Sequence, residues 1–105
     1  MPVERPALMA DVLILRVADD EYVAAMQWYA ERSVTAALGF EAAVSSAITS
    51  IATQPNWHPT CDDRHRFMIV RGYPFHLIYR IDGPDSVAVV AVAHGSREPD
   101  YWRHR

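Results

Sequence analysis

The chain has 105 residues, half of them apolar, which is the scale of one compact domain around a single hydrophobic core. Its formal net charge is −3 and all ten basic residues are arginines, so it lacks the strong positive field of a protein that grips nucleic acid through many phosphates. No segment is low in complexity and none repeats. The single cysteine, Cys61, excludes an intramolecular disulfide, and the apolar run Val12–Leu15 is too short to span a bilayer, so the sequence predicts a cytoplasmic protein with no membrane partner.

In chain order, residues 1–8 hold Pro2 and Pro6 without periodicity and read as a frayed leader. Ala10–Arg16 is short, rich in Val, Ile and Leu, and reads as a strand. Asp19 or Asp20 caps a first helix over about residues 20–32, in which Tyr22, Met26 and Tyr29 recur at helical spacing and Glu21 sits in the first turn. Ser33 or Thr35 caps a second helix. Its face carries Ala37, Phe40, Val44, Ala47 or Ile48, and Ile51, and it stops before Pro55. The short connection forces the two helices into an antiparallel hairpin.

After a loop over 56–63, Arg66–Val70 reads as a strand. Phe75–Ile81 alternates, with Phe75, Leu77, Tyr79 and Ile81 on one face and His76, Ile78 and Arg80 on the other. The turn Asp82-Gly83-Pro84-Asp85 joins it to Val87–Ala93, a strand apolar on both faces and therefore expected at the centre of the sheet. The order β-α-α-β-β-β, with a short carboxyl-terminal tail, predicts a single α+β domain: a helix hairpin packed on an antiparallel-rich sheet of about four strands. The first strand is expected beside the carboxyl-terminal ones, because alone it would leave its backbone unpaired.

Seven of the ten arginines and four of the five histidines fall in residues 61–105, so that half is the cationic one. Arg66, Arg80 and Arg97 converge on one face if their strands are neighbours, forming a patch for carboxylates or phosphates. His94 ends a buried strand and is read first as fastening the strand to the tail, second as a proton-transfer group. His76 shares a face with Arg80. Tyr101 and Trp102 are read first as closing the core, second as stacking on a partner. Trp28 and Tyr29 are adjacent on a helix, so one lies at the boundary of the apolar stripe and is a partner contact. His58, Cys61, Asp62 and His65 lack paired metal-ligand spacing; neither metal nor cofactor is expected.

The stretch Tyr73-Pro74-Phe75, Leu77-Ile78-Tyr79-Arg80, Val90-Ala91-Val92-Ala93-His94, Arg97, Pro99, Tyr101 and Trp102 resembles the carboxyl-terminal signature of the RelE/ParE toxin superfamily. Upstream, Ala24 to Tyr29, Phe40 and Ile51 to Pro55 stand where that superfamily's helical hairpin has its aromatic and aliphatic markers, so the likeness covers residues 10–103. The resemblance implies the toxin of a type II toxin–antitoxin pair, forming a hetero-oligomer with a ParD-like antitoxin. One branch cuts messenger RNA on the ribosome and uses an arginine on the strand that here carries His76, a basic residue where Arg97 stands, and an aromatic or histidine where Tyr101 and Trp102 stand. In that reading His76, Arg80, His94, Arg97 and Tyr101 are the catalytic set. His76 departs from the pattern, as do the acidic net charge and the missing lysines. The ParE-like branch poisons DNA gyrase without hydrolysing nucleic acid, and the sequence resembles it more. Trp28, Arg66, Arg80, Arg97 and Trp102 are the partner-binding residues expected.

Overall fold

A computed structural model describes residues 9–105, so the leader expected at 1–8 lies outside the described residues. The elements are β1 (Asp11–Ile14), α1 (Arg16–Ala30), α2 (Val34–Thr53), β2 (Arg66–Val70), β3 (Phe75–Gly83) and β4 (Ser86–His94). The sheet order is β1-β4-β3-β2. β4 pairs antiparallel with β3 and parallel with β1, so the sheet is mixed and its most apolar strand is central. The fold is α+β, with the helix hairpin on one face.

The first strand and helix divide the chain differently from the sequence reading. β1 stops at Ile14 and α1 begins at Arg16, ahead of the expected start near residue 20. Leu15 makes the change in one residue. Its N–H still bonds the Val89 carbonyl on the sheet at 3.0 Å, while its own carbonyl accepts from Asp19 N–H at 2.9 Å and opens the helix. No side chain caps that end, and Asp19 sits inside the first turn rather than before it, where its charge suits the helix dipole.

Ser33 caps α2, its hydroxyl accepting from Ala36 N–H at 3.1 Å. Ala37, Phe40, Val44, Ala47 and Ile51 form the buried stripe. By length and composition this helix would also pass for a membrane span, but its apolar stripe is the core of the domain. Phe40 is the hub of that core: its ring lies 5.7 Å from Tyr22, 5.1 Å from Tyr29 and 5.2 Å from both Tyr73 and Phe75. Fully burying such a side chain stabilises the fold by ~3 kcal/mol. Helices and sheet are tied further by Tyr73, whose hydroxyl donates to the Ala36 carbonyl at 2.7 Å, and by Tyr79, whose hydroxyl donates to the Pro55 carbonyl.

β4 carries a bulge. Ile78 pairs with Ala91 and Tyr79 with Val89, leaving Val90 as the extra residue. The bulge shifts the alternation, so Val87, Val89 and Val92 face the helices while Ala88, Val90, Ala91 and Ala93 face the other side. There Ile78, Phe67, Tyr101 and the buried Trp102 complete a second, smaller core. The tail aromatics therefore close the sheet's second face.

Candidate functional site

The site arises because β4 is longer than the strand beside it. Beyond Leu15 there is no β1 to receive the edge of β4, and side chains take over. The Glu21 carboxylate of α1 accepts from Val92 N–H at 2.9 Å, and the Val90 carbonyl at the bulge accepts from Arg105 at 3.1 Å. Glu21 also accepts from the Tyr101 hydroxyl at 3.0 Å and from Arg105 at 3.1 Å, with an Arg97 nitrogen 3.9 Å away. A carboxylate only 16 % exposed is held there by three donors, with the charge of Arg97 further off, which offsets its desolvation.

From sequence, Glu21 had only a helix-dipole role. The signal that would have found it is its place between Ala18 and Ala25, three and four residues away on the buried stripe. A carboxylate in that row needs internal donors.

The tail is arranged around this group. The Arg97 guanidinium lies 3.9 Å from the Tyr101 ring centroid and that of Arg105 5.0 Å. Burial, the bond to Glu21 and the charge of Glu21 push the Tyr101 phenol up to about 12, against the opposing pull of Arg97 and Arg105. Tyr101 therefore stays protonated and donating.

Between α1 and the ends of β3 and β4 lies a cleft of about 400 Å³. Ala25, Tyr29, Phe75 and Val92 form its apolar floor, and Trp28, His94 and Arg97 stand at its rim. Trp28 is 52 % exposed and carries the Arg32 guanidinium 3.8 Å over its ring. Its neighbour Tyr29 turns into the core, so Trp28 is the boundary residue. Ser96 N–H donates to His94 Nδ1 at 2.9 Å, which makes Nδ1 the acceptor and leaves Nε2 to carry the proton of the neutral ring. The bond is local and holds the Gly95–Ser96 turn that follows β4.

On the sheet's other face, His76, His94, Arg97 and Tyr101 border a concavity of about 320 Å³, where His76 stacks on Phe67 at 5.3 Å. Arg80 is not among them. It pairs across the sheet with Ala88, whereas His76 pairs with Ala93, and with Arg66 it lines a separate concavity that also holds Asp62, Asp63 and Asp82.

The convergence of Arg66, Arg80 and Arg97 expected from sequence does not occur, because Arg97 follows the far end of β4. Arg66 donates instead to the carbonyls of His58 at 2.6 Å and Asn56 at 3.3 Å, and Arg80 bonds Asp82 at 2.8 Å. Trp102 is 6 % exposed and cannot meet a partner without leaving the core.

His58 bonds Ser50, and His65 is buried between Asp62 at 3.0 Å and the Trp102 ring at 5.0 Å. Among the described residues no group of three or more His, Cys, Asp or Glu is placed to hold a metal. Cys61 is exposed, yet partial desolvation, then Asp62 and Asp100, pushes its thiol up to about 11, which makes it a poor nucleophile at neutral pH.

The sequence profile described as ParE toxin of type II toxin-antitoxin system, parDE, matches residues 12–99. Among solved structures, the chromosomal ParDE TA system from P. aeruginosa contains a chain of similar fold: TM-score 0.70 at 15 % identity, covering 85 % of this chain and 98 % of that one. No curated protein matches. With a helix hairpin over a mixed four-stranded sheet and a family match that begins in β1 and runs past β4, this chain belongs to the ParE toxin family of type II toxin–antitoxin systems.

Proposed function

We propose that the chain arrests growth by acting on DNA gyrase in the cytoplasm, without cutting nucleic acid, until a ParD-like antitoxin captures it. The observation that carries this reading is Glu21. Its carboxylate bonds Tyr101 and Arg105 and lies 3.9 Å from Arg97, so a negative charge already stands where a ribonuclease using Arg97 and Tyr101 would hold the scissile phosphate. Tyr101, held protonated, is a poor general base, and His94 Nδ1 is occupied by Ser96. A net charge of −3 adds no long-range attraction for RNA.

Expression of the chain alone in bacteria tests the proposal. Filamentation with a DNA-damage response, together with gyrase-dependent cleaved DNA in a purified assay, is the expected result. Rapid translation arrest with cut messenger RNA would instead make it a ribosome-dependent nuclease, and normal growth an inactive antitoxin-binding relative.

A further inference from the structure

We infer that the α1–β4 cleft seats an acidic segment of the antitoxin, anchored by an apolar side chain; this rests on the toxin–antitoxin reading above and names the partner of that site. The cleft, at about 400 Å³, has room for a large side chain over Ala25, Tyr29, Phe75 and Val92. At its rim, Arg97 is 53 % exposed and its nearest carboxylate oxygen is 3.9 Å away, on a group already taken by shorter bonds from Val92, Tyr101 and Arg105. The Nε2–H of neutral His94 adds a second donor. An entering carboxylate therefore meets donors, while the carboxylate beneath is already satisfied.

Charge also separates this cleft from its neighbour. The groove between α1 and α2, of about 390 Å³, is lined by Ile14, Tyr22, Val44 and Ile48 but carries Asp19 and Glu41, which repel an acidic segment. Arg66 and Arg80 are engaged with backbone carbonyls and Asp82 and do not line either groove. Nor does the cleft suit nucleic acid. One arginine beside an acid on an apolar floor offers no track for successive phosphates.

The test is calorimetric titration of the purified toxin with the full-length antitoxin encoded beside it, at low and moderate salt. Arg97→Glu reverses the exposed rim charge. Ala24→Trp fills the cleft from an exposed position of α1, and Arg64→Glu is the control on the distant concavity. Arg97→Glu and Ala24→Trp are each expected to weaken binding by about tenfold or more, Arg97→Glu with a flatter salt dependence, and Arg64→Glu by less than about twofold. Circular dichroism confirms that each variant is folded. If both cleft variants bind within about twofold of the parent, the inference is overturned while the toxin–antitoxin reading stands. It is overturned equally if they keep antitoxin affinity but lose growth arrest, since the cleft then belongs to the target. Failure of the parent chain to bind the antitoxin would remove both.

Discussion

The Tyr101 hydroxyl donates to the Glu21 carboxylate at 3.0 Å, joining the tail to the first helix across 80 residues of sequence. Because the same carboxylate also holds Val92 N–H, this one side chain fixes α1, β4 and the tail relative to one another. Removing it should loosen all three. Glu21→Ala is expected to destabilise the fold by about 2–4 kcal/mol, since it leaves an amide and a phenol without their acceptor and a largely enclosed guanidinium with only the Val90 carbonyl. Glu21→Gln keeps one acceptor oxygen and should cost about half as much. Urea denaturation followed by circular dichroism measures both.

Gly39 and Tyr73 form a second pair that a double-mutant cycle resolves. A Cβ on Gly39 would stand 2.5 Å from the Tyr73 oxygen, which itself bonds the Ala36 carbonyl. Gly39→Ala should therefore destabilise by about 1–2 kcal/mol although alanine favours helix. In a Tyr73→Phe background the nearest remaining ring atom is 3.7 Å away, and Gly39→Ala should there be neutral or stabilising. Thermal melts of the four proteins check it.

Phe40 has no exposed surface and touches four aromatic rings. Phe40→Ala should cost about 3–5 kcal/mol, enough to unfold much of the population. Loss of near-ultraviolet dichroism at ambient temperature would show it.

Alkaline pH should unfold the protein through two phenols. Burial pushes Tyr79 up to about 12, and burial together with Glu21 does the same for Tyr101, against an ordinary value of 10.0. Between those values the unfolded chain has released the protons that the folded chain retains, so stability is complete below pH about 10 and falls as pH rises toward 12. Phenolate absorbance during an alkaline titration should show two tyrosines ionising late and together with unfolding.

Tyr101→Phe separates the two modes of action. It removes one hydrogen bond, worth about 1 kcal/mol, and leaves the ring beneath Arg97. Growth arrest on induction should persist in this variant; its loss in a protein that still melts cooperatively would point to phenol chemistry and a nuclease.

The helix hairpin and the β3–β4 hairpin were legible because their signals are local: Tyr22, Met26 and Tyr29 at helical spacing, Phe40, Val44 and Ile51 likewise, and Gly83-Pro84 at the turn. The start of α1 was not, because it depends on Leu15 changing from a ladder bond to a helix bond with no cap to mark it. Period-two alternation placed Arg80 on a strand face but not at an end of the sheet, which is what separates it from Arg97. The Glu21 hub was hidden for a similar reason. Its partners lie far along the chain, and it is needed there only because β1 ends before β4 does.

The sheet order sets a schedule for how this protein comes into being. Asp11 pairs with Ser86 and Ile14 with Val89, so the opening strand has no neighbour until almost everything after it has been synthesised. The helix hairpin is free to form early, whereas the sheet beneath it must wait for β4 to leave the ribosome. The complete sheet, and with it the cleft at the end of β4, therefore forms only after most of the chain has been made.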